Sequence, residues 1–436
     1  MKHGPAPYIT SGQISRLITT LIYSSFMITI TAFLAQLVSQ DLWFTFMLSI
    51  LYMLIIGYVF YILASVFPNK NIFEISTVLC GKVIGGILNV LLIYFILFIF
   101  IRDLLSITIF INTSLLPHTP VEILVLLQVG VFLYFGRHTL QTSLFLNDIF
   151  FAVTFIGSIV ALPFLILDQF SFANLQPILE LSMTDLGKSN IVNLGIFGDL
   201  IILGAFLNHM KAPQVLKAVR VSAFFIPLYA ILWSVLLIGV FNPSTIKKLT
   251  YPFYNLVQMT KAGELLDRLD IFFFGIWFPI FLLEYIFMYL ALHVSVKHMA
   301  KNQHTTVLNR PLSLLVGLII LLTFVSYQQV FSLAAYISFV HVIVIQSIFV
   351  FCWLLFLLLK KRSLLTQSLK KLNRAKDRRV HWIVGGLYVA ALLFIIGGMI
   401  GGKYHYMIAN LCGLLYFISL LAAYVVSLFN RKKENG

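Results

Sequence analysis

The sequence predicts an all-α polytopic membrane protein of about twelve transmembrane helices. Of its 436 residues, 60% are hydrophobic and only 10% are charged, whereas a soluble domain carries about a quarter charged residues. Apolar runs of at least about eighteen residues recur along the whole chain, and each can cross the hydrocarbon core as one helix. These runs are continuously apolar, as in LYMLIIGYVFYILASVF, and lack the alternation of a membrane-spanning β-strand.

The predicted spans follow one another with short polar connections. They lie near residues 13–37, 43–66, 84–115, 121–135, 144–167, 191–210, 219–241, 271–297, 311–326, 334–359, 380–401 and 405–429. The opening residues MKHGPAPYITSGQ lack an apolar core followed by a small-residue cleavage site. We therefore expect no removable signal peptide, and helix 1 itself to act as the insertion signal.

The distribution of basic residues predicts the orientation. Most of the 30 Lys and Arg residues fall in loops on the same side as the N-terminus, which predicts that both termini are cytoplasmic. The exceptions are Lys188, Lys247, Lys248, Lys261, Arg268 and Lys403 on the outer side and Arg102 within a span. Because the net charge of +15 lies beside membrane spans, it indicates contact with membrane lipid and no nucleic-acid partner. The most basic segment, residues 360–379, is expected to be a solvated loop or, alternatively, a protein-docking surface.

Charged residues within spans are the candidate functional residues, because each costs about 2.5–3.5 kcal/mol at a helix centre. Asp199 in helix 6 and Glu284 in helix 8 fall near mid-membrane and should face the bundle interior. Both acids are candidate ligand or proton sites, and for Glu284 the alternative is a protonated, hydrogen-bonded core residue. Gly195, Gly198 and Gly204 surround Asp199, and they would either loosen the helix or only permit close packing.

Three further polar sites need an interpretation. Arg102 and Asp103 are adjacent in helix 3, so they should point about 100° apart and not pair with each other. We expect Asp103 to face inward and Arg102 to reach headgroups or a carboxylate on another helix. Asp148 is interpreted as an ordinary boundary residue. In helix 1, Ser24 and Ser25 could donate hydroxyls to a ligand, or alternatively bond to carbonyls one turn earlier.

The loop after helix 7 is the largest on the outer side. From Phe253 to Leu269 its apolar residues approximate one helical face, which predicts an amphipathic helix over the outer mouth, acting as a gate or as a passive cover. This loop begins with YPFYNLVQM and continues with GELLDRLDIFFFGIW. Together with ITSGQISRLI, NIFEISTVLCGKVIGGILN and the FGD of helix 6, these motifs resemble the B subunit of spore germinant receptors, the endospore germination permease family. Asp270 stands where that family usually has Glu, and FGD where it has F-x-G-E.

The resemblance, over roughly residues 8–362, implies a core of the amino-acid/polyamine/organocation transporter type in residues 1–362. Helices 1–5 and 6–10 would be inverted repeats, and residues 363–436 would add a basic loop and two more spans. Such a core binds a small nutrient, often an amino acid, between interrupted helices 1 and 6, although residues 13–37 contain no Gly or Pro to support a break in helix 1. By position, the pocket residues are Ser24, Ser25, Asp103, Gly195, Phe197, Gly198, Asp199 and Glu284, and the outer gate residues are Tyr251, Pro252, Arg268, Asp270 and Trp277. The resemblance also implies residence in the spore inner membrane with a receptor A subunit and a lipoprotein C subunit.

Three classes of function follow. A nutrient sensor would bind a germinant and pass a conformational change to its partner subunits. A proton-coupled amino-acid symporter would instead titrate Asp199 or Glu284 during transport. A membrane-embedded enzyme is disfavoured, because the sequence has no zinc motif, nucleophile elbow or Gly-rich phosphate loop, and Asp267 and Asp270 only superficially resemble a cation-binding pair. No metal or cofactor is expected, since Cys80, Cys352 and Cys412 lie far apart in the sequence.

Overall fold

A computed structural model describes residues 8–25, 30–259, 269–300, 305–323, 338–372 and 375–429, and it confirms the all-α membrane fold. In the described residues, nine helices are long and apolar enough to cross a membrane, and Val121–Phe135 and Leu308–Thr323 are shorter apolar helices. These eleven match predicted spans 2–12. Predicted span 1 corresponds to two helices, α1 (Ser11–Ser25) and α2 (Thr31–Val38), with residues 26–29 outside the description.

The remaining helices follow in chain order. They are α3 (Met47–Val66), α4 (Ile72–Cys80), α5 (Lys82–Phe110), α6 (Val121–Phe135), α7 (Leu140–Ile156), α8 (Leu162–Ile166), α9 (Met183–Phe197), α10 (Ala212–Ile246), α11 (Pro252–Gln258), α12 (Leu269–Ala300), α13 (Thr305–Thr323), α14 (Ser338–Lys360), α15 (Arg362–Leu372), α16 (Ala375–Gly401) and α17 (Tyr406–Phe429). A 3₁₀ helix, Gly198–His209, continues α9.

One sequence prediction about the connecting segments was wrong in part, and a second falls partly outside the described residues. The basic segment after α14 is not a solvated loop throughout, because it contains α15, whose buried Leu365 packs on the side of the bundle that carries α3. The amphipathic helix expected from Phe253 to Leu269 is described only as the short α11, since residues 260–268 lie outside the description.

Both ends of the described chain lie at one face of the bundle, which we call the terminal face. The Ile9 N–H donates to the His209 carbonyl at 3.0 Å, and Ser11 lines the same cavity as Ser427 and Leu428 near the end of α17. The other end of the bundle is called the opposite face.

At the opposite face, buried Asp41 ties the connection between α2 and α3 to residues 177–182. Its carboxylate accepts hydrogen bonds from the backbone N–H groups of Leu179 at 2.7 Å and Leu181 at 3.4 Å. Nearby, Trp43 and Phe44 pack against Tyr416 of α17. Burial raises the pKa of Asp41 to about 7, even though the backbone N–H groups act in the other direction. The neutral acid is therefore the form that the fold prefers.

This preference predicts that stability falls as the pH rises through the range between the two pKa values of Asp41. The unfolded carboxyl ionises near pH 3.8 and the folded one near 7, so the stabilisation is full below about pH 4 and is lost by about pH 7. One pKa unit is worth 1.36 kcal/mol, which sets the effect at up to about 4 kcal/mol. Thermal unfolding in detergent between pH 4 and 8 should show a flatter profile for Asp41→Asn. Asp168→Asn, at an exposed carboxylate, should keep the wild-type slope; an unchanged slope in Asp41→Asn would contradict the assignment.

Candidate functional site

A buried ion pair lies near the middle of α5. Arg102 Nε is 2.7 Å from Asp103 Oδ1, and Arg102 Nη2 is 3.1 Å from Asp103 Oδ2. The prediction that these neighbours do not pair was wrong. The two Cα–Cβ bonds do diverge, but the long Arg side chain folds back far enough to form a two-point contact with the carboxylate next to it.

Arg102 also reaches a second helix. Its Nη2 lies 3.5 Å from Oδ2 of Asp199, which is fully buried. The alternative that Arg102 contacts a carboxylate on another helix is thus the one observed, and not the alternative that it extends to lipid headgroups. Arg102 therefore links α5 to the 3₁₀ helix that continues α9, inside the bundle.

Predicted span 6, which contains α9, changes from an α-helix to a 3₁₀ helix at Gly198, the residue before Asp199. The α-helix α9 ends at Phe197, and the following twelve residues form a 3₁₀ helix that starts at Gly198. A 3₁₀ stretch of this length is uncommon, because its hydrogen bonds are poorly aligned, and such stretches often mark hinges. Asp199 is consequently placed at the junction, on the loosened backbone that the glycine spacing predicted as one of two alternatives.

Gln346 of α14 joins this junction from the other side. Its Nε2 donates to the Gly195 carbonyl at 3.1 Å and to Asp199 Oδ1 at 3.4 Å, and its Oε1 accepts from the Tyr52 hydroxyl at 3.3 Å. A Cβ atom at Gly198 would overlap the Gln346 amide. Glycine is therefore needed at position 198 so that the Gln346 amide can approach the backbone of α9.

Glu284 of α12 is also fully buried and is close enough to Arg102 for an electrostatic interaction. The next residue, Tyr285, donates its hydroxyl to the Asp103 carbonyl at 3.2 Å. Four elements thus converge on one polar centre: α5, the 3₁₀ helix after α9, α12 and α14. We call Arg102, Asp103, Asp199 and Glu284 the charge cluster.

The charge cluster holds three carboxyl groups and one guanidinium, each at most 5% exposed. Burying an ionised carboxylate without a counter-charge costs several kcal/mol, so a fully ionised cluster would be strongly unfavourable. Protonation of one or more of these carboxyl groups, or a bound cationic group, would lower this cost. Among the described residues, no three His, Cys, Asp or Glu side chains are grouped as metal ligands.

The structure places the other predicted pocket residues less centrally. Gly195 contributes its carbonyl to Gln346, whereas buried Phe197 packs beside Phe46 with ring centroids 6.2 Å apart. Ser24 and Ser25 are the last residues of α1, and their side chains lie outside the described residues.

An aromatic wall separates the charge cluster from the opposite face. Phe110, two turns beyond Asp103 on α5, contacts Tyr251 edge-on at 4.9 Å and Tyr254 at 5.1 Å. Pro252 forms the first turn of α11, and Trp277 packs edge-on against Trp233 at 5.7 Å. The cavity beside these rings has a volume of about 20 Å³, room for about one water. Of the other predicted gate residues, Arg268 lies outside the described residues, and Asp270 is in the first turn of α12 with its side chain undescribed.

The terminal face is closed by polar contacts of α1. Arg16 Nε is 2.6 Å from Asp148 Oδ1, and Gln13 Nε2 donates to Asp148 Oδ2 at 3.2 Å. One turn further in, the Thr20 hydroxyl donates to Asn147 at 2.8 Å. The interpretation of Asp148 as an ordinary boundary residue was therefore incomplete, because this residue fastens α1 to α7. In the described part of the chain, the charge cluster thus lies between the aromatic wall and these polar contacts.

Sequence reasoning missed three residues of the site: Gln346, Tyr52 and Tyr285. A signal was available for Gln346, since it is a lone amide within the apolar run VIVIQSIFV, where an unsatisfied polar group is costly. Arg102 was singled out from the sequence, with lipid headgroups or a carboxylate on another helix as its alternative partners. The two tyrosines carried no signal, because tyrosine is common throughout this chain.

A membrane-spanning helical bundle with a buried polar cluster on a helix of interrupted geometry is a permease-like protein. The family model described as spore germination protein, of the spore germination permeases, matches residues 8–322. The chain therefore belongs to this family, which confirms the resemblance drawn from the YP and FGD motifs. The chain is 25% identical over 248 residues to the putative spore germination protein YfkT of Bacillus subtilis strain 168, covering 56% of this chain and 67% of that protein. It is 22% identical over 320 residues to the spore germination protein YndE of the same strain, covering 72% and 85%.

Proposed function

We propose that this chain is the nutrient-binding, permease-like B subunit of a spore germinant receptor, and that its ligand is an amino acid. The observation that carries the proposal is the charge cluster, in which three buried carboxyl groups share one guanidinium. The α-ammonium of an amino acid would lie among the carboxyl groups, and because an amino-acid zwitterion is neutral overall, protons on the acids would still balance the remaining negative charge. The α-carboxylate of the amino acid would be attracted to Arg102 and to the amide of Gln346, which lies beside the loosened backbone of helix 6.

The two closures support a sensor over a simple channel. Among the described residues, the cluster lies between the aromatic wall and the polar contacts that join α1 to α7, and a ligand would enter by opening one of these two barriers. A ligand that binds the closed state more tightly than the open one shifts the population between them, and a tenfold preference corresponds to 1.4 kcal/mol. We infer that this shift is passed to the receptor A subunit and the lipoprotein C subunit.

The excess of Lys and Arg on the terminal face supports a cytoplasmic location for both termini. With the family membership, it supports residence in the spore inner membrane. We further propose that residues 1–362 form the transporter-like core, with helices 1–5 and 6–10 as inverted repeats. Residues 363–436 then add the basic helix α15 and two accessory spans.

A proton-coupled symporter is the second candidate, and the excess of carboxyl groups in the charge cluster favours it as well. Asp199 or Glu284 would carry a proton inward with the amino acid. Uptake separates the two functions. Proteoliposomes of the purified chain should bind radiolabelled amino acid without accumulating it if the chain is a sensor, whereas accumulation that requires a proton gradient would identify a symporter.

Asp199→Asn tests the binding site that both candidates share. The variant loses a charge-assisted contact worth about 1.5–3 kcal/mol, so we expect the half-maximal amino-acid concentration for germination to rise about tenfold or more. The neutral amide should leave membrane insertion unchanged. Spores carrying the variant in place of the wild type provide the dose–response curve, with membrane content checked by immunoblot and Asp168→Asn as the matched control. An unaltered curve at normal abundance would remove Asp199 from the site.

A further inference from the structure

Two polar side chains of packed helices, Asn193 of α9 and Ser49 of α3, are fully buried. Asn193 Nδ2 donates to the Thr45 carbonyl at 2.8 Å and to the Thr45 hydroxyl at 3.0 Å. Neither Asn193 Oδ1 nor Ser49 Oγ has a hydrogen-bond partner among the described residues. A buried polar atom without a partner costs free energy, and the bilayer core supplies no water to relieve that cost. These two atoms therefore indicate a bound polar molecule.

The two atoms belong to a row of polar groups that leads to the charge cluster. Ser49 lies four residues after Thr45 and three before Tyr52, and residues at these spacings share one face of a helix. That face contacts α9 through Thr45, and it reaches Gln346 of α14 through the Tyr52 hydroxyl, which donates to Gln346 at 3.3 Å. Gln346 in turn contacts Asp199. Ser49 therefore lies between the contact with α9 and the charge cluster. We call Asn190, Asn193, Thr45, Ser49 and Tyr52 the polar row.

The polar row begins close to the opposite face. Asn190, at 4% exposure, accepts a hydrogen bond from the Leu48 N–H at 3.0 Å. Only two residues before Asn190, the Lys188 side chain is 59% exposed. Rises of about 1.5 Å per residue in α9 and about 2.0 Å in the 3₁₀ helix place Asp199 about 15 Å further along the helix than Asn190. The polar row therefore leads from the edge of the bundle to the charge cluster across about half of the hydrocarbon thickness.

The chemistry of the polar row fits water. The sequence has no charged residue between Lys188 and Asp199 or between Thr45 and Tyr52, so the row offers no counter-charge to an ion. Amide oxygens accept hydrogen bonds and hydroxyls both donate and accept, which suits a molecule that also does both. Buried waters typically bind about three such groups, and Asn193 Oδ1, Ser49 Oγ and the oxygen of Tyr52 supply that number. The seven residues from Thr45 to Tyr52 span about 10 Å of helix, a length that one or two waters bridge.

We propose that water molecules held by Asn193 and Ser49 occupy the polar row and connect the opposite face with Asp199. This inference rests on the charge cluster of the proposed function, and it adds the side from which that cluster meets water. The path runs between α3 and α9, apart from the aromatic wall, whose rings come from α5, α10, α11, α12 and the residue before α11. Protons reach Asp199 along this path by exchange between neighbouring O–H groups, each oxygen taking up one proton as it gives up another.

The test measures contact with water at Ser49 directly. Proteoliposomes of the full chain carrying ¹³C-labelled serine are studied by solid-state NMR with magnetisation transferred from water. Ser49→Ala, Ser171→Ala and Ser234→Ala assign three signals by difference. We expect the Ser49 signal to build up as fast as that of Ser171, which is exposed at the opposite face. Ser234 is the matched control, because it is equally buried but donates to the Ala230 carbonyl at 2.7 Å, and its signal should stay at background.

Asn193→Leu tests the direction of the path. This variant replaces the amide at the outer part of the polar row with an apolar side chain, so transfer to Ser49 should be lost while transfer to Ser171 is kept. Unchanged transfer to Ser49 in a folded Asn193→Leu would show that water arrives by another route and would reject the path.

The comparison of Ser49 with Ser234 in the wild type does not depend on the Asn193→Leu variant. A Ser49 signal as weak as that of Ser234 would overturn the proposal by itself. The measurement needs no amino acid, so its failure is distinguishable from a failure of the proposed function. A dry Ser49 would leave amino-acid binding untouched, and a hydrated Ser49 would be seen even in a chain that binds no amino acid.

Discussion

Arg102→Gln is expected to cost about 3–5 kcal/mol of stability, because it removes the guanidinium that faces three buried carboxyl groups. Asp103 would lose its two-point contact and Asp199 its nearest cationic neighbour. Protonation of the acids can recover part of this cost, so the loss should be smaller at low pH and larger at pH 8. The thermal midpoint of the purified chain in detergent, measured from pH 5 to 8, gives both the loss and its pH dependence.

A double variant shows whether the stability lost in Arg102→Gln is caused by charge imbalance or by lost packing. Arg102→Gln combined with Asp103→Asn removes one charge of each sign and should recover a substantial part of the lost stability. Arg102→Lys keeps the charge but loses the planar two-point geometry, and it should fall between the wild type and Arg102→Gln. If the double variant were no more stable than the single one, the cluster would not be held together by its charges.

The sequence was sufficient to predict the spans and the interior location of the two mid-membrane acids. Hydropathy predicts spans well because the bilayer excludes unpaired backbone, and the cost of buried charge places Asp199 and Glu284 inside the bundle. The contact between Arg102 and Asp103 was not predictable by the same reasoning. Helical spacing fixes where a Cβ atom points, but the four-torsion side chain of arginine can reach well beyond that direction.

Contacts between residues of different helices could not be predicted from the sequence either. Gln346 and Asp199 are 147 positions apart and meet only because α14 packs against α9. The gate was predicted from its loop residues, Tyr251 and Pro252, but the ring that Tyr251 packs against, Phe110, lies in an apolar run where nothing distinguishes it from its neighbours. Tertiary packing chooses such partners, and periodicity within one helix carries no information about them.

Gly198→Ala should disable the site with a single methyl group. The added Cβ would overlap the Gln346 amide. Since Gln346 is fully buried, its amide can move only by giving up its contacts with Gly195, Asp199 and Tyr52. Leaving buried polar groups without partners costs about 1–3 kcal/mol each, so we expect a lower thermal midpoint and a rise of about tenfold or more in the amino-acid concentration needed for germination.

The chain offers two matched comparisons for this variant. Gly187→Ala lies in the same helix with open space around its Cβ position, and it should be neutral or stabilising by up to about 1 kcal/mol because alanine favours the helix. Gly198→Ala with Gln346→Ala removes the overlap, so stability should largely return while the nutrient response stays weak. A normal response in that double variant would show that Gly198 serves only close packing and that the Gln346 amide takes no part in recognising the ligand.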